Sequence, residues 1–225
     1  FGVVVFPGSN CDHDMFYNLK TNLKQDVEFL WHKETSLKKC DFIILPGGFS
    51  YGDYLRSGAI AQFSPIMEAV IEHAKNGGYV LGICNGFQIL CECDLLPGTL
   101  LRNINQKFIC KNIFIKSSNS CLLTKKTDSK RILQIPIAHA EGRYYTDQKT
   151  LKSLISNKQI MFEYCDENGE INMEFNPNGA AKNIAGICNK DKNVFGMMPH
   201  PERACDKNLN NLDGKLIFES IIENF

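Results

Sequence analysis

Three short apolar runs, each closed by glycine, constrain this chain more than any other feature. Gly2 to Phe6 ends at Pro7-Gly8-Ser9-Asn10, Phe42 to Leu45 ends at Pro46-Gly47-Gly48, and Tyr79 to Ile83 runs into Cys84-Asn85-Gly86. Each run has strand length, and helical patterns lie between them. Met15 to Lys24 reads as a helix, Val27 to Trp31 as a further strand, and the stretch after Ile83 as a helix through Cys93. Ser64-Pro65 marks another helix start, with Ser64 as N-cap and Pro65 in the first turn. Ile66, Ala69, Val70, His73 and Ala74 then recur at helical spacing until Gly77-Gly78 ends the helix. This alternation predicts an α/β chain with a central, largely parallel sheet covered by helices on both faces. Ligands of such sheets bind beyond the carboxyl ends of the strands, where all three glycine turns fall.

The second half is richer in strands. They are expected over Phe108 to Ile115, Ile132 to Ala138, Ile160 to Tyr164, Ile171 to Phe175, Ala185 to Cys188 and Val194 to Met198. Leu151 to Ile155 and Leu216 to Ile222 look helical. No linker, repeat or long charge run interrupts the 225 residues, so one domain over 1–225 is expected.

Lys and Arg total 25, as do Asp and Glu, and zero net charge argues against a coat for nucleic acid. No apolar run approaches the roughly 18 residues that span a bilayer. The N-terminus lacks the basic flank and cleavage site of a signal peptide, so a cytoplasmic protein without membrane attachment is expected. The chain starts at Phe1 without an initiator Met, so at least one residue is expected to be missing before it. Ten cysteines sit at 11, 40, 84, 91, 93, 110, 121, 165, 188 and 205. Several lie in apolar segments and none forms a Cys-x-x-Cys pair. Small hydrophobes in a reducing compartment are therefore expected, with no metal site.

Cys84 stands apart. Gly82-Ile83-Cys84-Asn85-Gly86 closes a strand and opens a helix, the nucleophile-elbow pattern with Cys in place of Ser. The flanking glycines let neighbouring backbones approach, and a helix N-terminus favours negative charge on the sulfur. The same five residues also fit a core cysteine in a glycine turn.

A thiol nucleophile needs a base and a group that orients it. Met198-Pro199-His200-Pro201-Glu202-Arg203 offers both. The prolines predict an extended segment, in which His200 and Glu202, two apart, face the same side. Gly47-Gly48 at a strand end can turn a backbone N–H toward a developing oxyanion, and the N–H of Asn85 would be the second donor. An ordinary turn is the plainer reading of a Gly-Gly pair.

Gly82-Ile83-Cys84-Asn85-Gly86-Phe87-Gln88 resembles the nucleophile motif of class I glutamine amidotransferases. Further stretches resemble one branch of them, the glutaminase subunits that serve the amidation of formylglycinamide ribonucleotide. They are Phe6 to Asp12, Pro46 to Ala61, Leu95 to Gly98, Pro136 to Tyr144, Met198 to Arg203 and Asp213 to Phe218. Ala140 departs from the glycine of that pattern. The resemblance implies a flavodoxin-like fold with extra antiparallel strands and a Cys84–His200–Glu202 triad. It implies an oxyanion hole from the backbone of Gly48 and Asn85, and glutamine contacts from Gly47, Gln88 and His139. It also implies glutamine as substrate, a synthetase partner, and a small third subunit. No cofactor is expected in this chain, and ATP and Mg are expected on the synthetase; the chain has no GxxxxGK(S/T) loop.

Two other readings compete: a stand-alone cysteine hydrolase on the same kind of sheet, and a thiol-rich redox or metal-binding module. Cys11-Asp12-His13 is the rival nucleophile site, also after a glycine turn. His32 and His73 read as structural, Arg56 as a solvated charge, and Lys125-Lys126 with Lys130-Arg131 as a solvated loop.

Overall fold

The computed structural model describes residues 1–127 and 131–225, and within them the glycine-closed runs are strands. Two units divide the chain: Phe1–Pro97 with Asn193–Gly196, and Gly98–Lys192 with Met197–Phe225. Elements are numbered in chain order.

The first unit holds β1 (Gly2–Val5), α1 (Asp12–Tyr17), β2 (Glu28–Trp31), β3 (Phe42–Leu45), α2 (Pro65–Lys75), β4 (Tyr79–Ile83) and α3 (Asn85–Glu92). Strand β11 (Val194–Met197) belongs to it except for Met197, and the order is β2-β1-β3-β4-β11. β1 pairs in parallel with β2 and β3, and β3 with β4. Phe42, Ile43, Ile44 and Leu45 are all buried, as a strand covered on both faces requires. The Met15–Lys24 expectation is only partly met: α1 ends at Tyr17, and a wider π turn over Asn18–Asn22 replaces the helix. Ser64 takes the N-cap position of α2 but does not cap it. Its hydroxyl sits 2.8 Å from the Tyr51 hydroxyl instead, and Tyr51 also reaches His32 Nδ1 at 2.7 Å.

The second unit holds β5 (Thr99–Leu101), β6 (Ile109–Ser117), β7 (Ile132–His139), β8 (Arg143–Tyr145), α4 (Gln148–Ser156), β9 (Ile160–Cys165), β10 (Ile184–Cys188) and α5 (Asp213–Asn224). The order β10-β9-β6-β7 is antiparallel throughout, and β5 and β8 form a separate antiparallel pair. β7 alternates buried and partly buried positions, with Leu133, Ile135, Ile137 and His139 on the inner side. The strand expected at Ile171 to Phe175 is absent. A 3-10 turn spans Met173–Phe175, because Asn172 Oδ1 caps it and the side chains face solvent. β5 and β8, three residues each, carry too few positions for a sequence pattern. No described helix is long and apolar enough to cross a membrane.

Candidate active site

The elbow at Cys84 carries real strain. Cys84 has φ 50° and ψ −103°, a left-handed position that an L-residue takes only when its surroundings impose it. Both flanking glycines are required there. A Cβ on Gly86 would lie 1.9 Å from the Leu45 carbonyl oxygen, and one on Gly82 would lie 2.5 Å from Gly86. α3 therefore starts hard against β3, and Asn85 follows Cys84 as its first residue. Its N–H is among the first-turn donors that no intrahelical carbonyl serves.

The loops after β1, β3 and β4 meet, as parallel pairing requires. Phe49 N–H donates to Gly8 O at 3.1 Å, Tyr51 N–H to Pro7 O at 2.6 Å, and Cys11 N–H to Gly47 O at 3.3 Å. Gly48 pairs with Ser9 in an isolated bridge at φ 135°, and a Cβ there would lie 2.6 Å from Asn10 N. Gln88, one turn beyond the elbow, is buried. The first unit thus holds Gly47, Gly48, Cys84, Asn85 and Gln88.

The second unit holds His200 and Glu202. Both are buried, and His200 Nδ1 lies 2.6 Å from Glu202 Oε1. A carboxylate there can only accept, so Nδ1 carries the proton and Nε2 keeps the basic lone pair. The segment is not extended as the prolines suggested. Pro201–Arg203 forms a 3-10 turn, closed by Arg203 N–H to His200 O and Ala204 N–H to Pro201 O. Histidine and glutamate therefore meet across a turn rather than along a strand. His200 N–H donates to Pro136 O at 2.9 Å, which ties the turn to β7. Gly214 was not singled out as a site residue, yet it packs α5 against this turn. A Cβ there would lie 2.0 Å from Pro201 O.

His139 ends β7 on its buried face and is 3 % exposed. Asn103 fixes its protonation. Asn103 Nδ2 donates to the carbonyls of Lys107 and His139, so its Oδ1 faces Gly142 N–H and His139 Nδ1, both at 3.1 Å. Nδ1 must then be protonated, and the buried Nε2 has no partner among the described residues. Burial, with His200 nearby as the lesser cause, lowers the pKa of His139 to about 4. Gly142 makes room for the ring, since a Cβ there would approach it to 2.2 Å. Ala140 is exposed and keeps a negative φ, so the departure from glycine costs nothing locally.

None of the ten cysteines is in a disulfide. Desolvation pushes Cys93 and Cys165 up to about 11 and Cys188 up to about 12, and it raises Cys91 and Cys121 too. Cys11 is buried at the start of α1 with an ordinary φ of −98°, and His13 is exposed. Arg56 is not simply solvated, since it pairs with the Glu92 carboxylate. Lys126 pairs with Glu219 and Glu223, and Lys130 lies outside the described residues.

A family model described as a CobB/CobQ-like glutamine amidotransferase domain matches residues 2–217. Among curated proteins, the phosphoribosylformylglycinamidine synthase subunit PurQ of Acaryochloris marina is 52 % identical over 223 residues, 99 % of this chain and 95 % of that protein. The subunit of the same name from Aquifex aeolicus is 51 % identical, covering 99 % and 98 %. Among solved structures, a chain of PurLQS from Thermotoga maritima is 38 % identical with a TM-score of 0.86, covering 99 % of this chain and 96 % of that one.

Proposed function

The chain belongs to the CobB/CobQ-like glutamine amidotransferase family, and on that premise we propose that it is a glutaminase subunit of de novo purine synthesis. It hydrolyses glutamine to glutamate and ammonia. It passes the ammonia to a synthetase that converts formylglycinamide ribonucleotide to formylglycinamidine ribonucleotide. The names of its relatives and of the solved complex support this reading, as does 99 % coverage of this chain in each. Residues 1–225 act as one glutaminase.

The observation that carries the chemistry is the left-handed Cys84 between two glycines that admit no side chain. Its thiolate attacks the side-chain amide carbon of glutamine, and the carbonyl oxygen takes up the negative charge. The backbone N–H groups of Gly48 and Asn85 hold that oxyanion. His200, as imidazolium, gives its Nε2 proton to the departing nitrogen, and ammonia leaves a γ-glutamyl thioester on Cys84. Neutral His200 then takes a proton from water, whose oxygen attacks the thioester carbon. Collapse of the second tetrahedral species releases glutamate and the thiolate. Glu202 keeps His200 in the tautomer that points Nε2 at this work. Gly47, Gln88 and His139 grip the amino-acid end of glutamine. The orphaned Nε2 lone pair of His139 suits the N–H donors of an α-ammonium.

The chain itself needs no cofactor for these steps. ATP and Mg act on the synthetase, and a small third subunit completes the complex. Ten cysteines outside any disulfide suit the reducing cytoplasm as the place of work.

Amide-labelled glutamine tests the assignment. With the synthetase, the small subunit, ATP and Mg, the label should appear in formylglycinamidine ribonucleotide, and the Cys84→Ala variant should abolish its transfer. Full transfer by that variant would refute the reading.

A further inference from the structure

One side chain joins the elbow helix to the loop that carries Gly47 and Gly48. Asn85 is 1 % exposed. Its Oδ1 accepts from the Ser50 N–H at 3.1 Å, and its Nδ2 donates to Gln88 Oε1 at 2.9 Å and to Asp53 Oδ1 at 3.3 Å. The partners fix the amide orientation, because a backbone N–H only donates and a carboxylate only accepts. Both Nδ2 hydrogens are used. Two of the three bonds end on the loop after β3, and the third ends on Gln88 within α3.

That loop needs holding. Tyr51, Gly52 and Asp53 sit at φ 53°, 70° and 55°, and left-handed positions at non-glycine residues persist only where the surroundings over-determine them. Ser50 lies two residues beyond Gly48, so the Ser50–Asn85 bond registers the backbone near one oxyanion donor against the residue that supplies the other.

We propose that the Asn85 side chain, anchored by Asp53, is a positioning residue that sets the two oxyanion donors, the N–H groups of Gly48 and Asn85, at their working separation. The proposal rests on the roles given above to Cys84, Gly48 and Asn85. Its effect belongs to steps in which the amide or thioester oxygen gains charge. It does not extend to alkylation of Cys84 by a reagent that develops no oxyanion.

Asn85→Asp tests it in the complex with the synthetase. The change keeps the size, retains the acceptor for Ser50, and sets a second carboxylate against Asp53. Gln88 can rotate its amide to donate to that carboxylate, whereas Asp53 cannot. Glutaminase kcat should fall about 10- to 100-fold, with the rate of Cys84 alkylation by iodoacetamide within about threefold of the parent. Adding Asp53→Asn restores a donor facing the carboxylate, with the polarity of the bond reversed. This double variant should recover at least about tenfold in kcat. Should Asn85→Asp fail to fold, Asp53→Ala removes the anchor alone and should show the same fall in kcat at near-constant KM. Parental kcat in Asn85→Asp, or a double variant no better than the single, overturns the proposal. So does parental kcat in Asp53→Ala where that variant stands in. Parental hydrolysis by Cys84→Ala would instead overturn the underlying assignment, so the two failures are distinct.

Discussion

In the proposed function His200 and Glu202 divide one task unequally. There His200 moves protons, while Glu202 fixes the tautomer and stabilises the imidazolium, so the two substitutions should differ in cost. His200→Ala should lower glutaminase kcat by about 10³-fold or more, and Glu202→Ala by about 10- to 100-fold. Circular dichroism should show both variants folded. Equal and full activity in His200→Ala would contradict the role. The pair was legible in sequence because a histidine between two prolines with a glutamate two residues on is an unusual constraint. Its geometry was not, since the local chain closes into a 3-10 turn instead of running extended. The supporting amides were missed altogether. Asn85 and Asn103 work mainly through bonds to backbone and side chains distant in sequence, and a buried asparagine leaves no periodic mark in a sequence.

At the scale of elements, β7 shows how a strand delivers a polar group. Its inner face runs Leu133, Ile135, Ile137 and then His139, so the pattern that builds the core also buries an imidazole at the strand end. The consequence is acid sensitivity. The folded pKa of His139 is about 4, below the ordinary 6.5, so between those values the unfolded chain binds more protons than the folded one. The stability linked to this group is present above pH 6.5, falls as pH drops toward 4, and falls no further below. It amounts to on the order of 3 kcal/mol. Urea unfolding of the parent and of His139→Gln across pH 4 to 7 checks this, and the variant should have the shallower dependence. Identical pH profiles would contradict it. Strands buried on both faces were legible to the residue, as at Phe42–Leu45 and Tyr79–Ile83, because an all-apolar run between glycines has few other uses. Ile171 to Phe175 misled for a physical reason. Its apolar alternation mimics a strand, but asparagine side chains hold the backbone in a turn, with Asn172 capping Glu174 N–H and Asn183 bonding Asn172 O.

Across the whole molecule, the roles fall into two sets. The first unit holds the proposed nucleophile Cys84, the two proposed oxyanion donors, Gly47 and Gln88, and the second holds His200, Glu202 and His139. The glycine-closed strands of the first unit lie in the half that reads most plainly from sequence. The antiparallel second unit was legible as strands but not as an order. In the proposed function, one thiol of ten is the nucleophile of a glutaminase. Reduced, metal-free protein treated with a glutamine-mimicking electrophile, followed by peptide mapping, tests it. One equivalent of label should land on Cys84, slowed by excess glutamine, with Cys91, Cys93, Cys121, Cys165 and Cys188 unmodified. Label on Cys11, or label spread over several thiols and indifferent to glutamine, would contradict it.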